Sequence, residues 1–392
     1  MGNTNPFDIP DTQTPISAPR QQVNRYTVTY EVDGPDIPKI AHEIAIGQSI
    51  GNPNIRSEIE NSQNIKDFAA NIVSYEDNIV KISFNRNAFI WPNINQLMCI
   101  IMGVGMAGVG MNVMHDGNHG SFSKHPLVNK LMGSSIYILA GNAYNWQIQH
   151  NVLHHTYTNI HGHDEDLDAG RILRFSEHSK WKPHHRFQHF YSFLLYGLMT
   201  INWAILTDYF QTRRYIKRKL SFKKFVNPTK QWINLIITKI LYYSIWIVLP
   251  ILILDLAWWK ILIGFFIMHY TAGIILSTIF QLAHIVEKVK MPLPSKELGM
   301  KNTWAIHQLF TTSNFSTNNK IMNWFSGGLN FQVEHHLFPN ISHIHYKKLS
   351  EIVKKTAKEF NLPYNEYRTT REALKSHFLF LKSMAKKPLQ IA

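Results

Sequence analysis

Residues 147–159 read QIQHNVLHHTYTN. His150 and His154 stand four apart, so on a helix they share one face, and His155 sits beside them. Two other stretches are built alike: His115-Asp-Gly-Asn-His119 upstream, and Gln332-Val-Glu-His335-His336 downstream. A single histidine near an apolar face is ordinarily a core or surface residue, because histidine burial is intermediate. Three such clusters, each beside a hydrophobic segment, point instead to imidazoles gathered around metal.

The segments beside them are long. Residues 88–114 and 261–286 carry no charged side chain, and 231–254 carry only Lys239. Each exceeds or meets the roughly 20 residues needed to cross a bilayer core. An integral, multi-pass membrane protein is therefore expected, not the two or three soluble domains that 392 residues would otherwise allow. The single cysteine, Cys99, excludes an internal disulfide and a thiolate metal cage. The opening MGNTNPFDIPD lacks the basic and apolar regions of a signal peptide, and Pro6 breaks the myristoylation pattern.

Charge divides the chain. Residues 1–90 hold seven Lys/Arg against eleven Asp/Glu, a net of −4, and the remainder carries +18 of the total +14. Residues 1–20, with Pro6, Pro10, Pro15 and Pro19, read as an irregular leader. Residues 21–87 read as a small α+β segment: RYTVTYEV (25–32) alternates as a strand does, 38–50 has helical spacing, and 67–84 suggests a strand pair. With RYTVTYEV, AHEIAIGQSIGNP, FAANIVSYE, IVKISF and NQLMCIIMG, the sequence over about 20–102 resembles the N-terminal domain of RuBisCO-like large-chain proteins. That family keeps its catalytic centre mainly on a barrel domain that nothing here supplies, so carboxylase chemistry is not expected.

From residue 88 a mainly α membrane bundle with a cytosolic helical cap is expected. GVGMAG (103–108) matches the dinucleotide fingerprint letter for letter, but it lies in an uncharged membrane-length run with no preceding strand. Small residues that let membrane helices approach closely explain it better. Two shorter apolar runs, 131–149 and 187–207, are expected in the interface or against the bundle. If the histidine clusters share one membrane face, an even number of crossings must separate them, and only the hairpin of 231–254 and 261–286 fits. Trp258-Trp259 suits the headgroup level at its tip. Residues 213–230 contain eight Lys/Arg and no acid, and the tail after His343 is rich in Lys. Both are expected in the cytoplasm, as anchors beside anionic lipid rather than as a nucleic-acid surface. After Ser342 amphipathic helices are expected, broken around Leu362-Pro363. With one early span, residues 1–86 fall on the opposite side from the histidines.

Neutral imidazole suits iron, copper, zinc and nickel. Seven cluster histidines exceed one four-coordinate zinc site, whereas two metals could use them all. The Glu-x-x-His pairs of carboxylate di-iron bundles are missing, and so is His-Glu-x-x-His. The acidic run 163–168 is no calcium hand, since Ala169 and Phe175 stand where Gly and Glu are required.

HDGNH, HNVLHH and QVEHH, in that order and near these spans, resemble the three histidine boxes of the membrane fatty acid desaturases. The resemblance runs from about Gly103 to the C-terminus. Gln332, where other members have His, resembles the front-end group, which desaturates between an existing double bond and the carboxyl end. The family implies two irons with O2 as co-substrate, and a fatty acyl substrate carried on CoA or a membrane lipid. By position it implies His115, His119, His150, His154, His155, His335 and His336 as ligands. A further ligand corresponds best to His284, and Gln332 would contact the site directly or through water. Asp116, Asp164, Asp166 and Glu334 are expected to orient imidazoles through their distal N–H. Two departures stand out. No His-Pro-Gly-Gly haem motif occurs, so a separate electron donor is expected, a ferredoxin or a cytochrome b5 with its reductase. The family also places two spans before its first box, and one is found. Alternative activities are a sister di-iron hydroxylase, ketolase or sphingolipid desaturase. A histidine-rich metal-binding or transport protein would instead put polar residues inside its spans.

Overall fold

Uncharged runs of membrane length can satisfy their backbone polar groups only within themselves or in a closed barrel. Here they do so as helices. The computed structural model describes residues 25–31, 68–76, 79–86 and 90–388, apart from 168–169, 222–226, 255 and 296–298. The chain divides into two units, Met1–Cys99 with Ile247–Phe265, and Ile100–Trp246 with Phe266–Ala392.

In the first unit β1 (Arg25–Glu31), β2 (Phe68–Glu76) and β3 (Ile79–Arg86) form an antiparallel sheet in the order β1-β3-β2. Arg25 pairs with Asn85 and Phe68 with Arg86, and a bulge interrupts β2 between Ile72 and Ser74. The expected strands therefore form, while the helix read over 38–50 and the leader 1–20 lie outside the described residues.

Among the described residues three helices are long and apolar enough to cross a membrane: α1 (Gln96–His119), α6 (Pro228–Ile253) and α7 (Trp258–His284). They match the three expected spans. The shorter apolar runs form no straight span. Residues 131–149 are broken into α2 (Pro126–Gly133), a 3-10 turn Ser134–Leu139 and the start of α3 (143–157). Residues 187–207 fall in α4 (Pro183–Tyr196) and α5 (Met199–Lys217), which meet at 67°. Beyond Lys230 in its first turn, α6 carries one charge, and it is neutralised where it is buried: Lys239 Nζ lies 2.8 Å from Asp208 of α5 and donates to the carbonyls of Ala140 and Trp203. An unpaired ammonium there would be costly.

Glycines set the closeness of these helices. A Cβ on Gly103 would stand 2.5 Å from the Met268 carbonyl of α7, so this glycine of the fingerprint-like run serves helix contact, while Gly105 faces open space. The α4–α5 bend is seated the same way, since a Cβ on Gly273 would meet the Gly197 carbonyl at 2.5 Å. Gly273→Val should therefore cost about 1–3 kcal/mol of overpacking, read as a lower Tm of the detergent-solubilised protein. An unchanged Tm would mean that the bend is not packed against α7.

Beyond α7 the chain forms α8 (Trp304–Thr311), β4 (Asn314–Phe315), α9 (Lys320–Phe325), α10 (Gln332–Leu337), α11 (Tyr346–Glu359), β5 (Glu366–Tyr367) and α12 (Thr370–Met384). The break between α11 and α12 contains Leu362-Pro363, as expected. β4 and β5 pair in parallel, and Ala373 of α12 joins Ala107, Met111, Leu282 and Phe315 in one apolar core. The C-terminal helices are thus held against the ends of α1 and α7, where the histidines lie.

Candidate metal centre

Each histidine segment brings its rings to one side by local geometry. His115 and His119 are one α-turn apart at the end of α1, directly after a π turn, Gly110–Met114. The second cluster departs from the expected regular α-helix: Gln147–His154 is π-helical, and α geometry resumes at His155. In an α-helix the residue five positions after His150 would turn away from it. The wider π turn, with its i→i+5 bonds, keeps both His154 and His155 on the His150 side. In α10, Gln332, His335 and His336 are spaced i, i+3 and i+4, so they share a face. His284 closes α7 and is fully buried.

The eight imidazoles meet. The ligand atoms of His115, His119, His150 and His335 lie within 4.8 Å of one another, and so do those of His154, His284 and His336. These two sets share no residue. His155 groups with His335 of the first and His336 of the second, and so stands between them.

The inner nitrogens fit a cation better than they fit one another. His119, His154, His155, His335 and His336 each bury an Nε2 that has no hydrogen-bond partner. His115 Nε2 faces His150 Nε2 at 3.2 Å while its own Nδ1 is unpaired. If one of these nitrogens donates to the other, His115 Nδ1 is left buried without a partner, an unmet acceptor when His115 donates and an unmet donor when it accepts. If neither donates, two lone pairs oppose. Such orphaned buried groups cost free energy and demand an explanation, and metal ions bound by neutral imidazole supply one. Burial pushes His150, His155, His335 and His336 well below their ordinary range, toward that neutral form. His154 is the exception: burial opposes its charge most strongly of any single cause, but the Asp164 and Asp166 carboxylates together raise it.

The outer nitrogens are tethered. His150 Nδ1 lies 2.6 Å from Asp166, which is itself held by Gln149, and His154 Nδ1 lies 2.9 Å from Asp164. His284 Nδ1 donates to the Thr311 carbonyl at 3.3 Å. His335 Nδ1 is 3.2 Å from the Tyr346 hydroxyl, and His336 Nδ1 is 2.8 Å from Gln308 Oε1. Gln332 reaches the site directly, its Nε2 2.9 Å from His284 Nε2. Trp146 stacks on His150 at 4.5 Å, and Phe280 lies about 5 Å from both His154 and His284, so apolar rings wall the imidazoles.

Of the four acids expected to orient imidazoles, Asp164 and Asp166 do so. Asp116 instead binds His343 Nδ1 at 2.8 Å and Ser342, with His115 Nδ1 no nearer than 3.9 Å. Glu334 points away, to Asn314 and Tyr364, where burial pushes its carboxyl up to about 7. A position one residue before His335 on a helix faces another direction, and the sequence signal of an acid beside a histidine does not register that. Gln308, Thr311 and Tyr346 were missed because each lies in an unremarkable helix far from its partner in sequence.

Asp164→Ala should weaken metal binding about 10–100-fold, the usual effect of losing the group that orients a ligand. It also removes the acceptor for the Asn159 amide, at 2.8 Å. Metal content after dialysis against graded chelator reads this, and a wild-type retention curve would show that Asp164 does not steady His154.

A family model described as fatty acid desaturase matches residues 91–368. An sn-1 linoleoyl-lipid 6-desaturase of Arthrospira platensis is 36% identical over 302 residues, 76% of this chain and 80% of its own. A protein of the same name from Synechocystis is 36% identical over 301 residues, covering 76% and 82%. An acyl-lipid (8-3)-desaturase of Physcomitrium patens is 34% identical over 307 residues, 76% of this chain and 62% of its own.

Proposed function

This chain belongs to the fatty acid desaturase family, and from that premise we propose a di-iron front-end desaturase that takes its acyl chain from a membrane lipid. The enzyme is an oxidoreductase that introduces a double bond into a fatty acyl chain. The finer reading is supported by one observation above the rest: two sets of buried imidazoles with no shared member, their unpaired nitrogens turned inward. The front-end type and the lipid-borne substrate are supported by Gln332 in the third box and by relatives that are themselves lipid 6-desaturases.

His115, His119, His150 and His335 would hold one iron, and His154, His284 and His336 the other, with His155 between them and Gln332 beside His284. When bound, the irons supply the O2 chemistry that breaks an unactivated methylene C–H bond, which no side chain does alone. The protein's part is placement. Asp166, Asp164, Gln308 and Tyr346 fix the ring tautomers from outside, so that each Nε2 is presented inward as a lone pair. Trp146 and Phe280 exclude water from the rings. The second iron set draws its ligands from α3, α7 and α10, so closure of the fold itself assembles it.

The desaturase unit is assigned to residues 88–392, with 21–87 a separate segment. The histidines, the basic stretch 213–230 and the C-terminal helices are assigned to the cytoplasmic side on the positive-inside bias. Electrons come from a separate protein, a ferredoxin or a cytochrome b5 with its reductase.

Expression in a host that makes linoleoyl lipids should yield a new polyunsaturated acid with its extra double bond on the carboxyl side of the existing ones, read by gas chromatography of total lipids. The purified chain should hold two irons. A hydroxylated product would move the assignment to a sister oxygenase, and one zinc without iron would overturn the di-iron reading.

A further inference from the structure

α9 is a six-residue helix, Lys320–Phe325, lying beyond the last membrane-length helix and before the third histidine box. A short helix on a water-facing surface turns its polar face outward. This one does the reverse. Ile321 and Trp324, one turn apart, are 76% and 75% exposed, while Met322 and Phe325 on the inner side pack against the core formed by α1 and α7. Both faces are apolar.

Its level along α1 is set by contacts. The Phe325 ring lies 3.6 Å from where a Cβ of Gly108 would be, and the Phe325 carbonyl accepts from Asn112 Nδ2 at 2.9 Å. Gly327, at φ +55°, passes so close that a Cβ would meet the Met111 carbonyl at 2.5 Å. Roughly twenty residues of helix cross the bilayer core. Counted from Gln96, that length ends near His115, so Gly108–Asn112 lie in the last turns of the core or at its edge. The neighbouring outward residues Ile101 and Val109 of α1 are exposed and belong to the bilayer-facing surface. The helix that carries Ile321 and Trp324 packs beside that surface, through Phe325 on Gly108, the residue next to Val109. Trp is the residue type favoured at the headgroup boundary, and the lysine at position 320 can extend its stem along the apolar surface to keep its charge in water.

We infer that α9 is immersed in the leaflet on the histidine side, with Ile321 and Trp324 packed among phospholipid acyl chains. This rests on the reading of α1 as a membrane span and not on the desaturase activity. The bilayer, rather than a second copy or a soluble partner, is the occupant because the helix carrying the exposed pair packs beside the lipid-facing stripe of α1.

The test uses the full chain with Cys99→Ser, carrying a nitroxide at Ile321→Cys, at Trp324→Cys, or at Lys355→Cys of α11 as an exposed reference. After reconstitution into phosphatidylcholine vesicles, collisions with dissolved oxygen and with a water-soluble nickel chelate are measured by electron paramagnetic resonance. Positions 321 and 324 should collide with oxygen and lose their nickel collisions, while position 355 shows the opposite ratio. Nickel access at 321 and 324 equal to that at 355 would place α9 in water and overturn the inference. Protection from both reagents would show a protein cover, a second copy, and overturn it equally. Two independent labelling positions guard against one variant failing to fold, and no turnover is read, so failure here leaves the assigned activity standing.

Discussion

His155→Ala should reduce desaturation to background and lower bound metal at both sites. His155 is the one imidazole that groups with His335 of one set and His336 of the other, and both of its ring nitrogens are buried without a partner. Its rings lie 4.9 Å from His119 and His150 and 4.3 Å from His336, so its loss opens a gap between the two centres. A structural histidine in that place would leave metal content intact and lower only the Tm. Metal analysis beside a thermal melt separates the two: stable protein with less than half its iron is the expected result, and full iron with a lowered Tm would remove His155 from the centre. The Trp304 indole donates to the His155 carbonyl at 2.9 Å. That backbone contact survives the substitution and should keep α8 docked.

His284→Ala is the sharper case, because this residue stands outside the three boxes and a helix-end histidine would ordinarily carry no function. Here it is fully buried, its Nδ1 is fixed by the Thr311 carbonyl, and its Nε2 is turned toward Gln332 and the rings of His154 and His336. The variant should keep about half the wild-type iron and lose turnover, since only the set of His154, His284 and His336 is opened while the other four-histidine set keeps all its members. Iron titration with activity measured on the same preparation decides it. Two irons and full turnover would return His284 to the helix-end reading. The milder His284→Gln should fold as wild type, because it retains a polar group for the Thr311 carbonyl, and still keep only about half the iron.

Much of this was legible from residue order. Three apolar runs, two without a charge and one with Lys239 alone, became three membrane-length helices, because a helix satisfies its own backbone groups away from water. The three histidine clusters announced themselves by spacing, whereas His284 was reached only through the family resemblance, since its place at the end of a span reads as an ordinary helix end. The pairing rules of the site were not legible. Asp164 and Glu334 look equivalent in sequence, each acidic and each near a box, yet one steadies His154 and the other binds Asn314 and Tyr364. Nothing in residues 147–157 signals that the helix widens to a π turn, and that widening is what brings His155 to the same side as His150.

Residue order by itself therefore determined where the chain can cross a bilayer, which imidazoles can share a face, and the family to which it belongs. The first two follow from composition and period within short windows, and the family from the likeness of HDGNH, HNVLHH and QVEHH to its histidine boxes. The tertiary structure decided which nitrogens turn inward, how eight rings divide into two sets, and which groups hold them from outside. Those relations join separate elements: the tethers span 10 to 28 residues, and contacts that lock the surroundings reach 150 positions or more, such as Thr158 with Gln308 and Asp116 with His343. A local pattern cannot encode such a meeting, because it arises only when separate helices close on one another and the orphaned polar groups of each must find partners in the rest.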